Sequence, residues 1–342
     1  MLSSLHRCRA PSRNAFRIFP IPLMDRMAEG GVGMSNGTDE PGRSRPTLSL
    51  AMPIYNGDRF LAEALDSIRA QDFPDWRLLI CDNASTDRTE VIAKEYCALD
   101  ERISYVRHER NLGAARNHNY GFHHTDGDYF AWVHGDNVYL PTYFSRCLAE
   151  LRAHPEASCA HTVAVDIDVD GARTHRWDEH LRAGHDDVAL RFRDLTEQDH
   201  MCFAWFGVVN RDLLAQTSLH ASFDSADRLE IVELALRGPI RLIDEELFLH
   251  REHPGRIMRQ APTARSRYLI LDPAWRGRIP FPVLNIGKQY ALAVLRAPLS
   301  TKDKARCLLQ LRGWLRTNWA RILRTLARGG YEYAKLAVRG TR

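Results

Sequence analysis

Three short polar turns hold the groups of this 342-residue chain that are best placed to do chemistry. Each follows an apolar run. Tyr55-Asn56-Gly57 follows Leu48–Met52 closely, Asp82-Asn83 follows Arg77–Cys81, and His134-Gly135-Asp136-Asn137 follows Tyr129–Val133. Carboxylates and amides presented at strand ends suit a phosphate bridged by a divalent cation, because hard cations take oxygen ligands and share them with phosphate. No strand is followed by G-x-G-x-x-G, and G-x-x-x-x-G-K-[ST] is absent, which disfavours glycine-cradled dinucleotides and P-loop chemistry. The seven cysteines are scattered and never spaced C-x-x-C, so a zinc site or disulfide framework is disfavoured and a reducing, cytoplasmic compartment fits.

An alternation of strands and helices must position those turns. Leu61, Ala64, Leu65 and Ile68 recur at helical spacing and predict an amphipathic helix ending near Gln71. Asp87 with Glu90 predicts a capping box for a helix through Tyr96. Ile103–Arg107 reads as a third strand, a helix follows from about Gly113, and Tyr129–Val133 reads as a fourth strand. This order predicts an α/β fold, a Rossmann-like, mostly parallel sheet flanked by helices, with ligands outside the carboxyl ends of its strands. No apolar run approaches the roughly 18 residues of a membrane span. Residues 1–46, rich in Gly, Pro, Ser and Arg, read as a disordered arm or a start codon placed too early, with a transit peptide as the alternative.

The series Pro53-x-Tyr55-Asn56-Gly57, Leu61 to Ser67, Gln71 and Asp82-Asn83-x-Ser85-x-Asp87 resembles the opening of family 2 glycosyltransferases. Asn111-x-Gly113, Arg116-Asn117 and Gly127-Asp128-Tyr129 leading to Asp136 continue the likeness in order, and Phe206–Val209, Asp227-Arg228, Gly238-Pro239 and Leu249–His253 extend it. The resemblance spans about Leu48 to Gly255 and gives a domain at residues 47–260, followed by a helical, basic extension at 261–342. It implies a GT-A fold and transfer of a sugar, with inversion, from a nucleotide-diphosphate sugar. It places Pro53, Tyr55, Asn56 and Asp82 around the nucleoside and Arg116 near the diphosphate. Mn2+ or Mg2+ would sit on the phosphates at Asp136, with His253 a second candidate ligand. Asp227, opening a helix Asp227–Arg237, would be the general base, with Asp224 in reserve; an aspartate there equally serves as a helix cap.

Where the family has Asp-x-Asp, this chain has His134-Gly135-Asp136, so one carboxylate is replaced by an imidazole at a position expected to face the donor. Asp126-Gly127-Asp128 and Asp166-Ile167-Asp168 match that pattern by letters only, the first preceding its strand and the second entering a turn. Trp205 and Phe206 suit stacking on a sugar ring or plain core packing. A silent GT-A binding or scaffold protein is the alternative that His134 motivates; a nucleotidyltransferase is a third, lacking its glycine-rich basic turn.

From Thr301 onward eleven Lys/Arg face two acids, whereas the first 300 residues are net acidic. Leu308, Leu311, Leu315, Trp319, Ile322 and Leu326 step by three or four, with Arg306, Arg321, Arg324 and Arg328 roughly opposite. Such a helix either lies on an anionic membrane surface, peripheral to the inner face of the plasma membrane, or packs its stripe on the body. No nucleic-acid motif accompanies the charge. The acceptor expected beside such a membrane is a glycan or a lipid-linked saccharide.

Overall fold

The computed structural model describes residues 45–339, apart from 179–180, 257–258, 260, 262 and 277–280, and the side chains of 328–339. The expectation of an N-terminal arm therefore lies almost wholly outside the described residues.

Strand β1 (Leu48–Ile54) is a nearly continuous buried apolar run, as a central parallel strand must be. It pairs in parallel with β2 (Trp76–Asp82) and β4 (Tyr129–Trp132), and β2 pairs with β3 (Ile103–Arg107). Helix α1 (Asp58–Arg69) buries Phe60, Leu61, Ala64, Leu65 and Ile68 on one face, two residues short of the predicted end. Gln71 just beyond it is buried, and its amide nitrogen donates to the Tyr139 and Leu140 carbonyls at 3.0 and 2.8 Å while its oxygen accepts from Phe144 N. That amide ties α1 to the short strand β5 (Val138–Tyr139) and helix α4 (Tyr143–Ala153).

Helix α2 (Thr89–Leu99) starts without the predicted capping box. Asp87 accepts from Thr89 N at 3.0 Å and from Asp58 N at 3.1 Å, so it bridges the starts of two helices. Glu90 instead turns outward to Lys94 and Arg107, because two cations compete with the cap amide for its carboxylate. Helix α3 (Ala114–His123) follows Gly113, whose φ of +89° lies in the left-handed region.

Among the described residues the sheet runs β3-β2-β1-β4-β8-β6-β9-β5, with β7 (Arg173–Arg176) paired to β6 (Cys159–Ile167). The β3 to β4 part is parallel. Beyond it, β8 (Val208–Asn210) joins β4 and β6 antiparallel, and the long β9 (Ile240–Arg251) runs parallel to β6 and antiparallel to β5. Strand order reverses between β1 and β4, so their carboxyl ends open a crevice.

Helices α5 (Val188–Glu197), α6 (Arg211–Leu214) and α7 (Ala226–Ala235) belong to the same unit. Helices α8 (Ala264–Leu271), α9 (Pro282–Arg296) and α10 (Thr301–Arg339) follow. Helix α10 lies along α5, where Arg306 ion-pairs with Asp187. Trp314 is buried, its ring seated where a Cβ on Gly287 would lie 2.4 Å away. The predicted stripe of α10 therefore divides. Leu308, Leu311 and Ile322 pack on the core beside Cys307 and Trp314, while Leu315, Trp319 and Leu326 face outward with Leu309 and Leu323. No helix among the described residues is long and apolar enough to cross a membrane.

Candidate active site

The turns after β1 and β2 are laced together at the crevice. Asn56 adopts a left-handed φ of 51°, its amide donates to Ser85 Oγ at 2.9 Å, and its Oδ1 accepts from Thr86 N at 2.8 Å. Gly57 N donates to Thr89 Oγ1 at 3.0 Å. These bonds hold Pro53, Tyr55 and Asn56 on one wall of a cavity of about 590 Å3. Tyr55 is 40% exposed, leaving its ring face open to a stacking partner.

Asp82 departs from its expected place. Its side chain is fully buried, with Oδ1 accepting from Ser85 N at 2.8 Å and Oδ2 from the Tyr105 hydroxyl at 2.6 Å. A buried carboxyl needs such bonds, and here they use up its reach toward a ligand. Asn83, its neighbour, lines the cavity instead. Asn83 is fixed by donating to Asn111 Oδ1 at 3.0 Å and accepting from Leu112 N at 2.7 Å.

Asn111, Asn117 and His118 from the start of α3 form a second wall. The third wall is Gly255, together with Leu269, Ile270 and Pro273 at the end of α8, which come from the extension. The segments approach so closely that a Cβ on Gly113 would stand 2.5 Å from the Leu271 carbonyl oxygen. The predicted boundary at residue 260 thus cuts through the cavity wall. Arg116 is exposed and borders, with Arg110, Asp272 and Arg276, a depression of about 220 Å3 that adjoins the first cavity at Asn111 and Pro273.

At the end of β4, Asp136 is 29% exposed and its Oδ2 lies 3.3 Å from His253 Nε2. Burial pushes the Asp136 carboxyl up, but the His253 hydrogen bond and the neighbouring Arg256 charge hold it below the usual carboxylate range. Arg251, itself 1% exposed, positions this loop by donating to the Asp136 carbonyl at 3.1 Å and the Asp168 carbonyl at 2.9 Å. Asp166 is occupied by His250 at 2.8 Å, and Asp128 by Arg45 at 3.2 Å. No group of three His, Cys, Asp or Glu among the described residues converges on a cation position. A cation held at Asp136 and His253 would need to draw its remaining ligands from elsewhere, such as a diphosphate.

His134 points elsewhere than expected. Its ring stands edge-on to Trp205 at 5.3 Å and to Phe206 at 5.1 Å, and burial pushes its pKa down to about 4. It is a neutral member of a buried layer formed by His118, His220, Trp132 and Trp205. Trp205 and Phe206 are 7% exposed and serve as packing.

Below that layer lies α7. Asp227 stands in its first turn rather than at its cap, which is Ser225, and its Oδ1 accepts from Arg228 N at 2.8 Å. Burial, together with the Asp224 charge, raises the Asp227 pKa above the usual carboxylate value. One turn on, Glu230 is buried and accepts from Trp132 Nε1 at 2.9 Å, linking α7 to the layer that includes His118 of the cavity wall. Asp224 is held by Arg267 of α8 at 2.8 Å.

A crevice at the strand-order reversal of a parallel sheet, extended by a mixed half, is the GT-A arrangement. S. aureus TarS 1-349 in complex with UDP-GlcNAc superimposes with a TM-score of 0.55 at 16% identity, over 79% of this chain and 72% of that one. The mannosyltransferase PcManGT from Pyrobaculum calidifontis, in complex with GDP-Man and Mn2+, gives 0.51 at 16% identity over 87% and 80%. Residues 49–217 match the family described as Glycosyl transferase family 2. Among curated relatives, the "Putative glycosyltransferase EpsE" of Bacillus subtilis (strain 168) is 37% identical over 134 residues, 39% of this chain. The match covers 48% of EpsE, so the chain spans about half the length of that relative.

Proposed function

We propose that the chain is an inverting glycosyltransferase that moves a sugar from a nucleotide-diphosphate sugar to a hydroxyl of a glycan or lipid-linked acceptor. The observation that carries this reading is the 590 Å3 cavity at the carboxyl ends of β1 and β2, which opens Tyr55 and a set of asparagines toward a ligand. Side-chain amides offer both donors and acceptors, as the edge of a nucleobase requires. The nucleotide-sugar complexes of TarS and PcManGT support the donor class.

In this reading Asp227 accepts the proton of the attacking acceptor hydroxyl. The hydroxyl oxygen forms a bond to the anomeric carbon, and the bond to the diphosphate oxygen breaks. A carboxyl raised above its usual range is a better proton acceptor near neutral pH, and a placed base contributes roughly 10²–10⁴-fold. Asp136 and His253 would hold Mn2+ or Mg2+, which supplies Lewis-acid stabilisation of the departing diphosphate. Arg251 fixes the Asp136 loop through its hydrogen bond to the Asp136 carbonyl. The outward apolar residues of α10, interspersed with Arg312 and Arg316, would rest on an anionic membrane at the cytoplasmic face, beside a lipid-linked acceptor.

The test is donor hydrolysis and transfer with a panel of UDP- and GDP-sugars in Mn2+, measured as free nucleotide released. Turnover that falls at least 100-fold in Asp227→Asn, with nucleotide affinity retained, supports the reading. Nucleotide binding without release on any donor or acceptor would instead indicate the silent scaffold.

A further inference from the structure

A second cavity, of about 440 Å3, shares no lining residue with the first. Its walls are the end of α5, the start of α7 and the three C-terminal helices, so it exists only because the extension folds back onto the body. Its size lies within the roughly 300–1,000 Å3 usual for small-molecule sites.

The lining chemistry narrows the ligand. The lining balances three acids, Glu197, Asp199 and Asp224, against three arginines, Arg228, Arg267 and Arg321, and Arg228 donates to Asp199 at 2.9 Å and Arg267 to Asp224 at 2.8 Å. That pairing leaves little net charge to attract a phosphate or a polyanion. What remains open is polar, with Gln198, Thr317 and Asn318 beside Glu197 and Arg321, around the rings of Tyr290 and Trp314. Amides and hydroxyls that donate and accept, beside aromatic faces, are what a sugar's hydroxyls and C–H faces require. A lipid tail would leave those amides unsatisfied.

The cavity is also placed for chemistry. Asp224, Ser225 and Arg228, which line it, flank Asp227 at the start of α7. We propose that this cavity binds an uncharged saccharide, the sugar unit of the acceptor, and presents it to the first turn of α7. Its role as the acceptor site rests on the transfer reading above; sugar binding in the cavity does not.

Saturation-transfer NMR on the full chain tests this, using methyl glycosides of glucose, galactose, mannose, N-acetylglucosamine and glucuronic acid, with and without saturating UDP. The expected result is saturation transfer to at least one neutral glycoside that persists in UDP. It falls at least tenfold in Thr317→Trp, where an exposed position fills the cavity, and at least threefold in Arg321→Ala. UDP affinity measured on the same variants reports that the first cavity is intact. Four results would overturn the proposal: no transfer to any glycoside, displacement by UDP, indifference to both substitutions, or a glucuronide bound as well as the neutral sugars. Neutral-sugar binding in a chain that releases no nucleotide from any donor would overturn the transfer reading alone.

Discussion

Glu230 is the group whose ionisation this fold opposes most measurably. It is 1% exposed, its Oε1 accepts from Trp132, and its Oε2 has no hydrogen-bond partner. Burial, then the charges of Glu233 and Asp227, raise its pKa from 4.5 to about 7, against the lowering effect of the Trp132 indole hydrogen bond. Each pH unit of displacement is worth about 1.4 kcal/mol, so the folded state carries about 3 kcal/mol against the ionised form. The sign follows from proton counting. Between pH 4.5 and 7 the folded chain holds a proton that the unfolded chain has released, so stability from this group falls as pH rises and is fully lost above 7. Glu230→Gln keeps an acceptor for Trp132 and cannot ionise. Any pH-independent cost of its amide cancels when two pH values are compared. Its stability relative to the natural chain should therefore improve by about 2–3 kcal/mol between pH 5 and pH 8. Urea midpoints at both pH values read this directly, as a relative shift of about 1 M for a slope near 3 kcal/mol/M. Equal differences at pH 5 and 8, or a Gln variant that loses ground as pH rises, would refute the assignment of a neutral buried carboxyl.

The histidine layer predicts the opposite slope, since burial pushes His220 down to about 3, and at pH 5 its refusal to protonate lowers stability by about 2 kcal/mol. His220→Phe should remove that part of the loss between pH 7 and pH 5 in the same urea series. Gly113→Ala forces a side chain against the Leu271 carbonyl and into a left-handed backbone that disfavours it by about 1–2 kcal/mol; UDP affinity by calorimetry should fall several-fold as α8 is displaced from the cavity wall. Asp136→Ala should abolish any Mn2+ dependence of nucleotide affinity while leaving metal-free binding within threefold. On α10, Trp319 is 60% and Leu323 55% exposed, and replacing both by Glu should release the chain from anionic liposomes in sedimentation without lowering its melting temperature.

Much of the parallel half was legible because its signals are local. A buried apolar run, a polar turn and a 3.6-residue stripe give β1, α1 and β2 without reference to anything distant. The rim positions followed from topology, since every turn after a parallel strand emerges at the same edge. The fate of Asp82 was not legible, because it is decided by Tyr105, which reaches it from the neighbouring strand 23 residues later. His134 likewise reads as a ligand by letters, and becomes packing only because Trp205 and Phe206 arrive from a distant 3-10 turn. Missed cavity residues were partly signalled: Asn111-x-Gly113 carried a glycine at positive φ, the mark of a close approach.

The same reasoning changes what the C-terminal segment is. Periodicity reveals that α10 is apolar over a broad arc, but not which part of the arc meets the protein. Leu311, Trp314 and Ile322 occupy one part, and Trp314 fills the space that Gly287 leaves. Removing residues after Leu299 would therefore strip the core of Cys307 and Trp314 and delete a wall of the second cavity along with the outward face. Loss of membrane binding in such a truncation would carry no information about the membrane, because misfolding predicts it equally. Substitutions confined to Leu315, Trp319 and Leu323 leave the inward contacts intact and separate the two causes. The first cavity is divided in the same way, with its two sheet-side walls written in the motif series and the third, Leu269 to Pro273, contributed by a segment that no motif marks.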